Sequence, residues 1–143
     1  MPIQTFWLHH PRILGVRDVG DITLHDLIQA DAEVKAMLNG GQPPVHLILD
    51  LSRLGTFPRR PSAIAETVAF THHPKLGHMV MFGVNNVLLR GFLIVLSGVL
   101  TILPQFAPSL KDALQFLTDR DATLPETLLD GQMEAAWPRE EAE

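Results

Sequence analysis

The chain has 143 residues, 46% of them hydrophobic and 19% charged, no cysteine, and a formal net charge of −5. That length suits one domain able to bury a full core. Missing thiols exclude a disulfide framework and thiolate metal sites or nucleophiles, and the acidic balance argues against general nucleic-acid binding, which needs a basic face.

Met1-Pro2-Ile3-Gln4-Thr5-Phe6 lacks the basic head and apolar core of a signal peptide. With the absence of cysteine, this leads to the expectation of a cytoplasmic protein. Residues 3 to 9 alternate loosely around Phe6, Trp7 and Leu8 and read as a first strand. Pro11 marks a turn, and Ile13, Leu14, Val16 and Val19 make a second strand that Gly20-Asp21 ends. Two short strands joined by a tight turn predict a hairpin. Thr23-Leu24-His25-Asp26 is a capping-box pattern with Asp in the place of the commoner Glu, flanked by Ile22 and Leu27 as a hydrophobic staple. Leu24, Leu27, Val34 and Leu38 then share one face of a helix, which Asn39-Gly40-Gly41 stops.

Val45 to Leu51 is almost wholly apolar and predicts a central strand covered on both faces. Pro58 and Pro61 stiffen the following loop, and Ser62 to Phe70 reads as a helix with Ile64, Val68 and Phe70 inward. Leu76-Gly77 reads as a turn before a buried strand from Met79 to Gly83, and Asn85-Asn86 caps a helix from about Val87 to Ser97 that Gly98 ends. Val87 to Leu103 is the greasiest stretch of the chain. It sits at the lower limit of membrane-spanning length and contains Arg90, Ser97 and Gly98. We therefore read it as a helix running into a last strand, Thr101 to Phe106, rather than as a membrane span. Pro104 makes that strand an edge or bulged one. Ser109-Leu110-Lys111-Asp112 repeats the capping logic before a final helix with its stripe at Leu110, Ala113, Leu114 and Leu117.

The order β-β-α-β-α-β-α-β-α predicts an α/β domain built on a five-stranded mixed sheet with right-handed crossovers. The domain is expected over residues 1–121, followed by an acidic, flexible tail over 122–143 that has Trp137 as its one aromatic residue.

Four segments carry a family likeness: Gly20-Asp21-Ile22-Thr23, Leu49-Asp50-Leu51-Ser52, His73-Pro74-Lys75-Leu76-Gly77, and Phe106-Ala107-Pro108-Ser109 running on to Leu117. With the element order, they make the chain resemble the STAS domains of sulfate transporters and anti-sigma-factor antagonists. The closer resemblance is to the SpoIIAA-like branch often grouped with lipid-binding Sec14 domains. The likeness covers about residues 3 to 119. In antagonist-type members a phosphorylatable Ser or Thr caps the helix after the "D-L-S" strand. Here that run is Pro58-Arg59-Arg60-Pro61, without hydroxyl or glycine, so the phospho-switch is not carried over, though Ser62 lies just beyond.

Asp50 and Ser52 end the central strand and either line a ligand crevice or cap their own turn. Arg59, Arg60 and Ser62 at a helix start either hold an anion or form a stiff solvated loop. His9-His10, His72-His73 and His78 invite a metal reading, but neighbouring histidines on a strand point to opposite faces and no H-E-x-x-H occurs, so no metal or cofactor is expected. No nucleophile elbow, P-loop or dinucleotide fingerprint is present. The carboxylate pairs Asp119/Asp121 and Glu140/Glu141 read as solvated polar ends.

The helix from Val87 is apolar on nearly every side, whereas a helix on a sheet buries only a stripe. Leu88, Leu89, Phe92, Leu93, Val95 and Leu96 are therefore expected to form a contact surface. The leading expectation is a non-catalytic binding or regulatory domain acting through a protein partner or a second copy of itself. The alternatives are a carrier of a lipid or other apolar small molecule, and an anion- or phospho-regulated switch.

Overall fold

The computed structural model describes residues 2–103 and 105–138. Strands β1 (Ile3–His9), β2 (Ile13–Gly20), β3 (Val45–Leu54), β4 (Leu76–Phe82) and β5 (Phe106–Ala107) form one sheet in sequence order. The first pair is antiparallel and the rest are parallel. Between them run α1 (Leu24–Asn39), α2 (Pro61–Thr67) and α3 (Val87–Val99), followed by α4 (Leu110–Arg120) and the short α5 (Gln132–Ala136). The expected hairpin and five-stranded mixed sheet are both present.

Period-2 alternation sorts the core into two sides. Leu14, Val16 and Leu47 face Val34 and Leu38 of α1, with Leu51, Met81 and Leu93 of α3 continuing that side. Ile13, Ile48 and Val80 face Leu114 and Leu117 of α4 on the other. The caps follow the sequence. Thr23 Oγ1 accepts from the Asp26 amide while the Asp26 carboxylate accepts from the Thr23 amide. Asn86 Oδ1 accepts from the Leu88 and Leu89 amides, and Ser109 Oγ from that of Asp112.

Four expectations are corrected. The second helix ends at Thr67, because Val68 turns extended (φ −96°, ψ 117°) to bury its side chain, and Phe70–His72 form a separate 3-10 turn. Leu76-Gly77 opens β4 instead of turning, since Leu76 pairs with Val45. The His46 ring also lies where a Cβ on Gly77 would be, 2.6 Å away, so that glycine is there for close approach. Helix α3 runs through Gly98 to Val99, and the left-handed residue that follows is Thr101 (φ 58°). The last strand is therefore only Phe106–Ala107, with Thr101 in the turn after α3; Pro104 lies outside the described residues.

The stretch expected to be a loose tail is packed as far as it is described. After the 3-10 turn Glu126–Leu129, which buries Leu128, α5 places Trp137 in the core, 8% exposed. Its ring meets Phe6 and Phe82 edge-on at 4.9 and 5.5 Å between centroids.

Candidate functional site

Helix α3 divides the six residues expected on its contact surface between two environments. Leu93 is buried, and Leu89, Phe92 and Leu96 are half-buried on the same inward face. Leu88 and Val95 point outward with Val87, Ile94 and Val99, at 49 to 85% exposure. Gly91 and Gly98 share the outer side and meet nothing within 4 Å. Phe92 packs against Phe57 of the loop before α2, ring centroids 4.9 Å apart, and Arg90 lies over the Phe106 ring of β5 at 4.3 Å.

Beneath the inward face lies a cavity of about 140 Å³. Its walls are Val16, Leu49 and Leu51 from the sheet, Leu27, Ala30 and Val34 from α1, Ile64 and Val68 around α2, and Leu89, Phe92, Leu93 and Leu96 from α3. Native interiors carry few voids larger than a water molecule. An apolar hollow of this size beneath α3 has the form of a binding site.

Among the described residues, two polar side chains interrupt the apolar wall, Asp18 and Thr71. Asp18 follows Leu14 and Val16 at strand spacing, so the alternation that buries them carries its carboxylate inward too. Asp18 is 9% exposed, and its Oδ1 is buried without a hydrogen-bond partner, as is Thr71 Oγ1. Burial, and next the nearby charge of Asp50, push the Asp18 carboxyl up to about 7. The sequence reading passed over both residues. The available signal was a carboxylate in phase with a buried strand face.

The residues expected to bind a ligand or anion at the end of β3 and in the turn beyond it do not line this cavity. Asp50 is buried; its Oδ1 accepts from the Ser52 amide at 2.9 Å and hydroxyl at 2.6 Å, and its Oδ2 from Trp137 Nε1 at 3.0 Å. Arg17 Nε is 4.0 Å from the same Oδ2. A Cβ on Gly83 (φ 79°) would lie 2.6 Å from the Ser52 amide nitrogen, so only glycine lets β4 end there. Arg59 lies over the Phe57 ring at 4.8 Å. Arg60 precedes α2 without a side-chain cap, and Ser62 is exposed on its first turn.

A second polar cluster sits at the other end of the sheet. His46, 1% exposed, accepts from the His78 amide at Nδ1 (3.0 Å), which leaves Nε2 to donate to Asp121 Oδ2 at 2.8 Å. Arg12 and Thr123 also donate to the Asp121 carboxylate. Asp121 is therefore an anchor rather than the solvated end expected. Burial opposes its ionisation, but the bonds from Thr123 and His46 and the Arg12 charge outweigh that and hold its pKa below the ordinary value. For His46, burial lowers the pKa by more than Asp121 raises it. Among the described residues, no group of three His, Cys, Asp or Glu side chains could hold a metal, and no helix is long and apolar enough to cross a membrane.

The chain matches no family model and no curated protein. Solved structures share its fold. Unphosphorylated SpoIIAA, an anti-sigma factor antagonist, superposes at a TM-score of 0.55 with 14% identity over 85% of this chain and 99% of that one. An uncharacterised DUF3478 protein from Shewanella loihica with a SpoIIAA-like fold gives 0.59 with 18% identity, covering 80% of this chain and 91% of its own. The phosphorylated form of the Bacillus cell-fate determinant SpoIIAA gives 0.51 with 15% identity, over 80% and 98%. The fold is SpoIIAA-like, as the resemblance implied.

Proposed function

We infer that this SpoIIAA-like chain is a non-catalytic binding domain that holds a small apolar or amphipathic molecule beneath α3. The observation that carries the reading is the 140 Å³ cavity. A dry, aliphatic-walled space of about 150 Å³ is enough to take up a benzene-sized molecule. Two buried titratable groups outside the cavity, His46 and Asp50, support binding over chemistry. Both ring nitrogens of His46 and both oxygens of Asp50 are committed to structural hydrogen bonds, which leaves neither positioned as a general base. Native mass spectrometry of protein purified without detergent tests the reading. A released small-molecule adduct, or saturable uptake of added toluene, is the expected result. A ligand-free protein that also ignores toluene would overturn it.

A second reading rests on the outer face of α3. Val87, Leu88, Ile94 and Val95 expose an apolar stripe of the kind that marks a contact surface. A protein partner or a second copy of the chain covering it would make the domain a regulatory contact module. Light scattering over a concentration series separates the cases: a concentration-dependent dimer that Val95→Asp abolishes supports self-association, and a strict monomer counts against it.

A further inference from the structure

The two edges of the sheet differ. At one end β5 is only two residues long, a short edge of the kind that discourages pairing. At the other, β1 (Ile3–His9) is seven residues long and lies outermost. It holds no Lys, Arg, Asp, Glu or Pro to blunt that edge, and its register shift comes only after Trp7. The ladder to β2 fixes which backbone groups are free. The Val19 amide donates to the Pro2 carbonyl, while Ile3 lies opposite Asp18, Thr5 opposite Val16 and Trp7 opposite Leu14. Antiparallel pairs alternate between bonded and non-bonded, so Ile3, Thr5 and Trp7 turn their amides and carbonyls away from β2. Among the described residues, no turn, loop or cap bonds those groups.

We propose that β1 pairs with β1 of a second copy of this chain, antiparallel about a two-fold axis at Thr5. The outward groups at Ile3, Thr5 and Trp7 are spaced evenly about that axis, so the edge is self-complementary, as a two-fold contact requires. Three bonded pairs then form: Thr5 with Thr5, and Trp7 of each protomer with Ile3 of its partner. They exchange about six backbone hydrogen bonds. Charge favours a second copy as the occupant. The chain carries a net charge of −5, yet β1 has no charged Lys, Arg, Asp or Glu to set opposite its own image. The two Glu33 carboxylates, each accepting from its own Thr5 hydroxyl at 2.7 Å, come to one side of the axis and oppose the pairing. The dimer is therefore weak and reversible, in the class of small transient interfaces. It does not depend on the cavity beneath α3.

Amide hydrogen exchange of the wild type, read at micromolar and at millimolar concentration, tests the pairing. The Thr5 and Trp7 amides should exchange fast when dilute and become protected when concentrated. A half-labelled sample should then show an Hα–Hα contact between Gln4 of one protomer and Phe6 of its partner, the mark of a non-bonded antiparallel pair. Thr5→Pro deletes the outward amide, which makes no bond to β2, and so removes one interchain bond per copy. It should raise the dimer dissociation constant about tenfold, while Val95→Asp on α3 leaves that constant unchanged. Amides that stay exposed at millimolar concentration, or that are already protected when dilute, would overturn the pairing. So would a dimer that Val95→Asp abolishes while β1 stays exposed, which assigns self-association to the outer face of α3. The wild-type exchange decides the matter even if Thr5→Pro does not fold.

Discussion

His46 and Asp18 are both buried, and their titrations act on stability in opposite directions. The folded-state pKa of His46 lies below the ordinary 6.5, so the unfolded chain binds the extra proton first. The stability it supports is present above pH 6.5 and is lost as pH falls below it. Asp18 is raised from 3.8 to about 7, so its protonated form favours the fold, and that contribution is lost as pH rises from 3.8 through 7. Asp18→Asn is therefore expected to gain on the wild type in urea unfolding as pH increases across that window, level off above it, and show a steeper loss on acidification. His46→Leu deprives the His78 amide and Asp121 of one bond each, which should cost about 1–3 kcal/mol near neutral pH and flatten the slope below pH 6.5. The role of Asp18 could have been read from its phase with the buried face of β2, but that of His46 was not legible in the sequence. His46 sits inside an apolar run and Asp121 in a polar one, and the contact that joins them spans 75 residues.

At the scale of elements, composition showed that α3 carries more apolar surface than a sheet can cover, but not where the surplus goes. A helical wheel places Leu89, Leu93 and Leu96 opposite Gly91 and Gly98, so the two glycines marked the outward side in advance. Phe92, chosen from sequence as a contact residue, turns in toward Phe57. Phe92→Asp would therefore damage the cavity roof, whereas Val95→Asp tests the outer face alone and should leave thermal stability within about 0.5 kcal/mol of wild type. Asn86→Ala removes the cap of α3 and is expected to cost about 1 kcal/mol, measurable by urea titration. The C-terminal segment misled the reading for a different reason. One tryptophan in an acidic stretch has no periodicity, yet Trp137 meets two phenylalanines edge-on and donates a hydrogen bond to Asp50. Trp137→Ala should cost about 3–5 kcal/mol and expose residues 124–137 to limited proteolysis.

For the molecule as a whole, order and polarity of the elements were readable because each strand and helix announces itself by local period and cap. The cavity was not, because it arises where α1, α2 and α3 meet over β2 and β3, a product of packing that no window of sequence contains. The two sides of the sheet are also unequal. The side under α4 is closed by Trp137 and Leu128, while the side under α3 keeps the open space, and the account assigns binding to the latter. Diffraction from a crystal pressurised with xenon tests that assignment most directly, since the gas fills dry apolar cavities large enough to hold it. A xenon peak enclosed by Leu51, Ile64, Phe92 and Leu93 is the predicted result. Interior density free of xenon, with those four side chains collapsed together, would contradict it.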